Sequence, residues 1–524
     1  MITGVAHLAR LSRAGFVFAR EGVLALIDTA RLPLPLRAVI SIARLIERPA
    51  SAVAANRLAT ALTRLGPSYV KLGQFLATRP DVVGAALARD LETLQDKMPP
   101  FPQDAAVRAV EAALGEPVRA FYLSFGPPVA AASIAQVHRA EVAGGQENRA
   151  VAVKVLRPAI ERRFKLDLDA FTFVARQAQR ISAEGRRLRL VEAVDTLRRT
   201  VALEMDLRFE AAALSEMAEN TRDDPDFRLP AVDWDRTARD VLTLEWIEGV
   251  PLWDHARLTA KGFDLKRLAC AVIQTFLRHA LRDGFFHADM HPGNLFVDDA
   301  GQLVAVDFGI MGRLAPKERR FLAEILLGFI TRNYYRTAEV HFEAGYVPPH
   351  HSIASFAQAI RAIGEPIHNR TAEEISMAKL FMLLFEITGL FDMRTRPELL
   401  LLQKTMVVVE GVARSLDPKL DMWMVAEPVV REWMERRLGP GGKLEDAAEG
   451  AVEVGRFLGE MPRLLTRGAV LLDRLDMMAR NGLVLAPETI ADIGRSQGRR
   501  NRWIVLALWM IAGLLGWISY ILLR

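Results

Sequence analysis

Four polar positions fall in an order suited to moving a phosphoryl group. Asp289 and Asn294 stand five apart in Phe286-His-Ala-Asp-Met-His-Pro-Gly-Asn294, after an apolar run and before a short strand-like stretch. An Asp at such a place accepts a proton or orients a nucleophile, and an Asn a few residues on offers a hard oxygen to a metal ion on the phosphates. Thirteen residues after Asn294 comes Asp307-Phe-Gly309, directly behind Leu303-Val-Ala-Val306. A carboxylate at a strand end, followed by glycine, is well placed to chelate Mg²⁺. Upstream, Lys154 closes Val151-Ala-Val-Lys154, the pattern of a strand lysine that holds α- and β-phosphates and pairs with a helix glutamate. Asp-Phe-Gly alone is a weak signal; the four elements in this order are a strong one. The ordinary alternative for Lys154, a solvated lysine on a strand edge, fits poorly between Val153 and Val155. Glu204, Asp206 and Glu210 are the candidates for its acidic partner, and they spread over two helical turns, so they need not share one.

Two features depart from ordinary protein kinases. Where a Gly-rich loop should precede Lys154, the chain has Ala130-Ala-Ala-Ser-Ile-Ala-Gln-Val137. Glycine serves there because backbone amides approach phosphates with φ > 0, and alanine makes that conformation costlier by roughly 1–2 kcal/mol per residue. On that reasoning Ala131→Gly strengthens nucleotide binding. Asp307-Phe-Gly-Ile-Met-Gly-Arg-Leu314 also runs almost straight to Pro316, with no Ala-Pro-Glu segment on which to build a peptide platform.

These residues need strands and helices to position them. Residues 1 to about 115 read helical, with apolar residues at spacings of three and four in Ala54–Leu65 and Val82–Leu94. The Pro-rich Met98–Pro102 breaks this part, and Asp104 then reads as the N-cap of a helix Ala105–Leu114. Tyr122–Phe125, Val129–Val142, Ala150–Val155 and Val241–Trp246 read as strands. Ile160 to about Asn220 and Phe263–Asp283 read as helix, Asn294–Val297 and Leu303–Val306 as a hairpin, and Pro316 to about Leu485 as almost wholly helical. Gly439-Pro-Gly-Gly442 is the natural break in the C-terminal half. Leu380–Phe385 and Leu399–Leu402 read as core, with a lipid-facing surface as the alternative. The fold class is α+β: a β-rich small lobe feeding a helical large lobe, with a cleft between.

Composition narrows the class further. The 524 residues are 51% hydrophobic and 25% charged, which excludes a disordered chain. The single Cys270 excludes a disulfide framework and a cysteine metal cluster, and its apolar surroundings read as a buried small hydrophobe. The net charge of +5 comes without a basic, aromatic-interleaved stripe, so nucleic acid is not expected. Charge is concentrated in Arg495–Arg502, just before the uncharged Trp503–Leu523. As a helix that run spans about 30 Å, the thickness of a hydrocarbon core, with Trp503, Trp517 and Tyr520 toward its ends. It reads as a transmembrane anchor with the body on the cytoplasmic face; a buried core helix is the alternative, and is rarely apolar on every face. Residues 1–27 read as an amphipathic helix, packed on the body or lying on a bilayer, rather than a signal sequence.

Together these residues resemble the UbiB family of atypical, protein-kinase-like proteins, over about Asn56–Asp421 plus the tail. The specific features are Lys71-Leu-Gly-Gln74, similar to the family's K-x-G-Q signature; the Ala-rich loop; Glu204-Met-Asp206, similar to its E-x-D; and His287-Ala-Asp-Met-His-Pro-Gly-Asn294. Arg396–Arg414 also looks like its helical region. The resemblance implies a two-lobed kinase-like fold with an N-terminal helical extension, ATP and Mg²⁺ as cofactors, and phosphoryl-transfer or ATPase activity in support of ubiquinone biosynthesis. Asp289 and Lys154 would be catalytic, and Asn294 and Asp307 would be the Mg²⁺ ligands. Ala130, Ala131, Ala132, Ser133, Lys154, Glu210, Glu245 and Ile247 would contact nucleotide. Lys71, Gly73, Gln74, Glu204 and Asp206 would be regulatory, with Lys71 and Gln74 over the cleft where a kinase admits peptide, near Glu204 and Asp206. The implied partners are membrane lipids, ubiquinone-pathway enzymes and polyprenylated phenolic intermediates, with a homodimer left open. A nucleotide-gated scaffold or lipid-extraction role is the alternative. The family's older association with polyprenylphenol hydroxylation finds no Rossmann motif, no haem cysteine and no clear two-histidine-one-carboxylate set. His287 and His291 lie next to Pro292 and Gly293, in a loop rather than on a metal-binding helix face. The expected organisation is 1–115 extension, 116–250 small lobe, 251–440 large lobe with helical additions, 441–502 helical linker and 503–523 anchor.

Overall fold

The computed structural model describes residues 2–26, 57–77, 98–144, 147–181, 188–367, 387–393 and 397–438, with a few single positions between them. The chain divides into two compact units, Met1–Glu435 and Arg436–Arg524. The expected anchor 503–523, the linker 441–502, the break at Gly439–Gly442, Leu380–Phe385 and most of Val82–Leu94 lie outside the described residues. Among the described residues, no helix is long and apolar enough to cross a membrane.

Helix α1 (Ile2–Arg20) packs against α2 (Arg57–Leu65) and, further along the chain, α6 (Ile160–Ile181). Ala14 and Ala19 are buried and Arg10 pairs with Asp167, so the amphipathic start of the chain lies on the body. Helix α3 (Pro67–Ala77) follows α2 directly. Helix α4 spans Gln103–Leu114 and a single turn α5 spans Val118–Phe121. Asp104 does not cap α4: Pro102 holds the N-cap position, and Asp104 sits inside the first turn paired with Arg108. Proline is favoured beside a helix start because its missing N–H is an orphan there anyway.

The small lobe is an antiparallel sheet, ordered β1-β2-β3-β5. Its strands are β1 (Ser124–Ala131), β2 (Ala135–Val142), β3 (Arg149–Leu156) and β5 (Val241–Glu245). The stretch expected as one strand, Val129–Val142, is the end of β1, a turn and β2. Alternation decides what β3 does: Val151, Val153 and Val155 are fully buried against Val110, Tyr122, Ala140 and Val142, on the α4 side. Each such valine contributes about 1.5–3 kcal/mol by leaving water. The period of two then turns Lys154 to the other face.

Among the described residues, the expected helix from Ile160 to Asn220 is broken into α6, α7 (Leu190–Glu204) and α8 (Leu207–Asn220). A second sheet, ordered β4-β9-β8-β6, joins β4 (Phe227–Arg228), β6 (Gly249–Pro251), β8 (Leu295–Asp298) and β9 (Leu303–Ala305). Helices α9 (His255–Ala260) and α10 (Leu265–Arg278) begin on the side-chain caps Asp254 and Asp264. A π-helical turn, His279–Asp283, ends α10, and β7 (Phe285–His287) pairs with β10 (Met311–Arg313). Cys270, on α10, is only half-buried, because α10 turns its apolar face of Leu268, Val272 and Phe276 inward instead. Helices α11 (Pro316–Ile330), α12 (Tyr334–Glu343), α13 (Ile353–Ile367), α14 (Pro397–Leu416) and α15 (Met422–Leu438) complete the described part. Leu402 is buried, and Leu399 and Leu401 pack on the core, so this stretch of α14 is core. One hydrophobic core runs from α2 and α3 through α6, α7 and α8 to α10 and α14, tying the N-terminal helices to the large lobe.

Candidate active site

Lys154 is central to the cluster. Its strand lies between β2 and β5, and α8 faces it. The Nζ donates to Glu210 Oε1 and Oε2 at 2.8 and 2.9 Å, and to Asp307 Oδ1 at 2.8 Å. Burial works against the ammonium, but the charges of Asp307 and Glu210 outweigh it and raise the Lys154 pKa. The Lys154 charge in turn holds the Asp307 carboxyl well below the usual carboxylate range, with burial opposing and the Lys71 charge helping. Burial raises Glu210, against the pull of Lys154. One ammonium thus serves two carboxylates, the more exposed of which, Asp307, stays ionised.

The helix break explains why Glu210 reaches this point. Asp206 caps α8: Oδ1 accepts from the Arg208 N–H at 3.2 Å and Nε at 2.9 Å, and Oδ2 from Nη2 at 2.7 Å. Glu210 then falls in the first turn of α8, nine-tenths buried, aimed at β3. Glu204 ends α7 and pairs instead with Lys71 of α3, Nζ to Oε2 at 2.7 Å, both side chains nearly buried. The three acids therefore have three partners. Asp206, expected beside Lys71 and Gln74, is turned to Arg208. Gly73 lets α3 pack tightly, because a Cβ there would meet Leu94 Cδ1 at 2.4 Å and Leu62 Cδ1 at 2.7 Å. Gln74 is half-buried and makes no hydrogen bond with a described residue.

The Asp289 loop is braced by His287, which lies on β7 and not in the loop. His287 Nε2 donates to the Val306 carbonyl at 3.2 Å and Nδ1 accepts from the Asp289 N–H at 3.1 Å. This fixes the neutral Nε2–H tautomer, and burial lowers the ring's pKa to match. Both nitrogens are used, so His287 has none left for a metal. Asn294 is buried and donates through Nδ2 to the Asp289 carbonyl at 3.1 Å, which leaves its Oδ1 to the site. Asp307 adopts φ +65°, a left-handed conformation costly for a residue with a Cβ. Phe308 behind it is buried edge-on against the His287 ring, centroids 5.0 Å apart. The chain then closes at once into β10, where Gly312 is required: a Cβ would stand 2.1 Å from the Phe286 ring.

The Ala-rich turn solves its problem without glycine. Ala130 and Ala131 belong to β1, paired with Val137 and Gln136, and the turn itself is Ala132–Ile134. None of Ala130–Ser133 has positive φ. The expectation that alanine there pays for a left-handed conformation therefore fails, and with it the reason for expecting Ala131→Gly to tighten binding. The turn is strapped down. Arg157 Nε and Nη2 donate to the Ala132 carbonyl at 3.0 and 2.8 Å, Nη2 also to Pro99 O at 2.9 Å, and Met98 N–H donates to Ala131 O. Ser133, Ile134 and Ala135 are buried. Arg157 and the Met98–Pro102 strap carry no sequence signal beyond a proline-rich break. Glu245 ends β5, but its carboxylate accepts from Arg228 at 2.9 Å and from the Ala231 N–H at 3.2 Å. Its side chain is thus already engaged, its N–H donates to Ala231 O at 2.8 Å, and half-buried Ile247 lies in the following connection.

A lysine on a central strand, a buried helix glutamate, a braced Asp–Asn loop and a strand-end Asp-Phe-Gly, set between a β-rich and a helical lobe, define a protein-kinase-like class. The ABC1 atypical kinase-like domain matches residues 93–341 and the UbiB helical domain residues 360–421. The chain is 39% identical to a probable protein kinase UbiB of Marinobacter nauticus over 88% of its own length and 84% of the relative's. It is 40% identical to that of Azotobacter vinelandii, over 78% and 76%. A solved Mycobacterium tuberculosis structure, a complex with erythromycin, is 26% identical over 72% of this chain and 95% of that one, with a TM-score of 0.49. The chain belongs to the UbiB family.

Proposed function

We propose that the protein binds Mg-ATP and either hydrolyses it or phosphorylates a small molecule, in support of ubiquinone biosynthesis. The observation that carries this is the single ammonium of Lys154 bonded to both Glu210 and Asp307. Lys154, held charged and aimed by Glu210, is the group for the nucleotide phosphates. The hard oxygens left by the site, Asn294 Oδ1 and the half-exposed Asp307 carboxylate, fit Mg²⁺. Bound there, the ion would neutralise phosphate charge. Asp289, whose backbone is fixed by His287 and Asn294, would take the proton from an attacking water or hydroxyl. The short return from Asp307 to α11 and the Lys71–Glu204 pair of the extension favour a small acceptor over a protein in trans. The tail 503–523, with Arg495–Arg502 before it, supports a membrane anchor that keeps this site near polyprenylated phenolic intermediates and the enzymes acting on them.

Mg-ATP binding and turnover by the purified chain, with and without anionic-lipid liposomes and a phenolic quinone precursor, test the reading. Asp307→Asn should weaken binding, and Asp289→Asn should retain binding but lose turnover. No binding under any of these conditions would sink it. Normal ubiquinone in cells carrying Asp289→Asn, but not Asp307→Asn, would instead favour a nucleotide-gated scaffold.

A further inference from the structure

Away from this site, in the turn between α12 and α13, His350 and His351 approach Asp392. Their Nε2 atoms lie 3.8 and 3.4 Å from one oxygen, Asp392 Oδ2. One donor atom from each of the three falls within 4.8 Å of the others, and among the described residues this is the one group of three such donors. Ligands about 2.0–2.2 Å from a tetrahedral ion stand about 3.3 Å from each other. The two histidine–aspartate spacings are close to that.

The backbone that carries the donors is held by packed structure, and His350 and Asp392 present exposed side chains from it. Phe391, next to Asp392, is buried with Val347, Phe356 and Ile387 in a satellite core. The His351 ring lies 5.3 Å from the Phe391 ring, and its side chain is mostly buried. Pro348 and Pro349 fix the backbone just before the histidines. Asp392 adopts φ +47°, held by its N–H to Gly389 O and by Met393 N–H to Thr388 O. That left-handed position commonly takes glycine, and here it aims a carboxylate at two imidazoles. The ordinary alternative is a weak surface ion pair, worth little between exposed groups. An ion pair needs one histidine; two converging on one carboxylate oxygen is the arrangement that chelation of a cation calls for. The residues were invisible as a set in the sequence, where 41 positions separate His351 from Asp392.

We propose that His350, His351 and Asp392 bind a divalent transition ion of the zinc class, which staples the Ile387–Met393 segment to the α12–α13 turn. Two imidazoles and one carboxylate select Zn²⁺ over Mg²⁺ or Ca²⁺, which prefer all-oxygen sets. Three protein ligands leave a further position for water.

The test is titration of the chelator-stripped full chain with Zn²⁺, in excess Mg-ATP to occupy the nucleotide site. One equivalent should bind. His351→Ala and Asp392→Asn should each weaken it at least about tenfold, and Asp307→Asn should leave it unchanged. Co²⁺ in place of Zn²⁺ should give visible absorption that the same two variants lose. Zn²⁺ should slow amide exchange at Ile387–Met393 in the native chain and not in Asp392→Asn, whose exposed side chain makes misfolding no explanation. Absence of stoichiometric Zn²⁺ binding, or binding that both variants leave intact, would overturn the proposal.

Discussion

Two lysine–glutamate pairs bear on Asp307, and they come from different parts of the molecule. Lys154–Glu210 joins the small-lobe sheet to α8 and bonds Asp307 directly. Lys71–Glu204 joins the N-terminal extension to α7, and the Lys71 charge adds to the pull that keeps Asp307 ionised. Their glutamates sit on consecutive helices, parted by the Asp206 cap. The first pair is common to protein kinases in general. The second brings a helix from outside that fold to the same carboxylate. The difference teaches how an added element becomes part of a site: it needs a close-packed helix, here permitted by Gly73, and one long cation with its own buried counter-ion.

Substitutions should separate the two. Lys154→Met leaves Glu210 buried without its cation, so unfolding should cost about 3–5 kcal/mol less and turnover should vanish. Thermal melting and ATPase assay read both, and a variant with native turnover would break the comparison. Lys71→Met strands Glu204 and should lower stability by about 1–3 kcal/mol while reducing turnover less than Lys154→Met. If the pairs are separate, the double variant's stability loss equals the sum of the singles within about 0.5 kcal/mol; a large coupling would merge them into one network. Asp206→Ala removes the cap between them, for about 1 kcal/mol by chemical denaturation, and should also weaken nucleotide binding by loosening Glu210.

The smallest effect is in pH. Burial lowers the pKa of His287, so the unfolded chain binds a proton that the folded chain refuses. Its contribution is present above the ordinary histidine value, about 6.5, and is lost as pH falls below it. Stability should decline from about pH 6.5 downward, and His287→Gln should flatten that slope by about one proton in denaturation curves taken across the range.

The period-two pattern of Val151–Val155 made β3 legible, and with it the direction of Lys154. Asp289, Asn294 and Asp307 were legible as a motif because each sits at a fixed step from a strand or turn. The cap at Asp206 was not, since Glu204–Glu210 reads as continuous helix until the chain bends. Nor was the strap on the Ala-rich turn: Arg157 reaches Ala132 and Pro99 only after β1, β2 and β3 have paired. The sheet register, not the alanine count, keeps that turn out of the left-handed region.

The sequence by itself determined which residues carry charge and which strands and helices carry them, because periodicity and motif spacing are local. Tertiary structure alone decided which acid met which base. Lys154 could have taken any of three acids; the helix break sent Glu210 to it, Glu204 to Lys71 and Asp206 to Arg208. It also drew His350 and His351 to Asp392. Such pairings depend on burial and on distances between segments far apart in the chain, and those exist only once the core has closed.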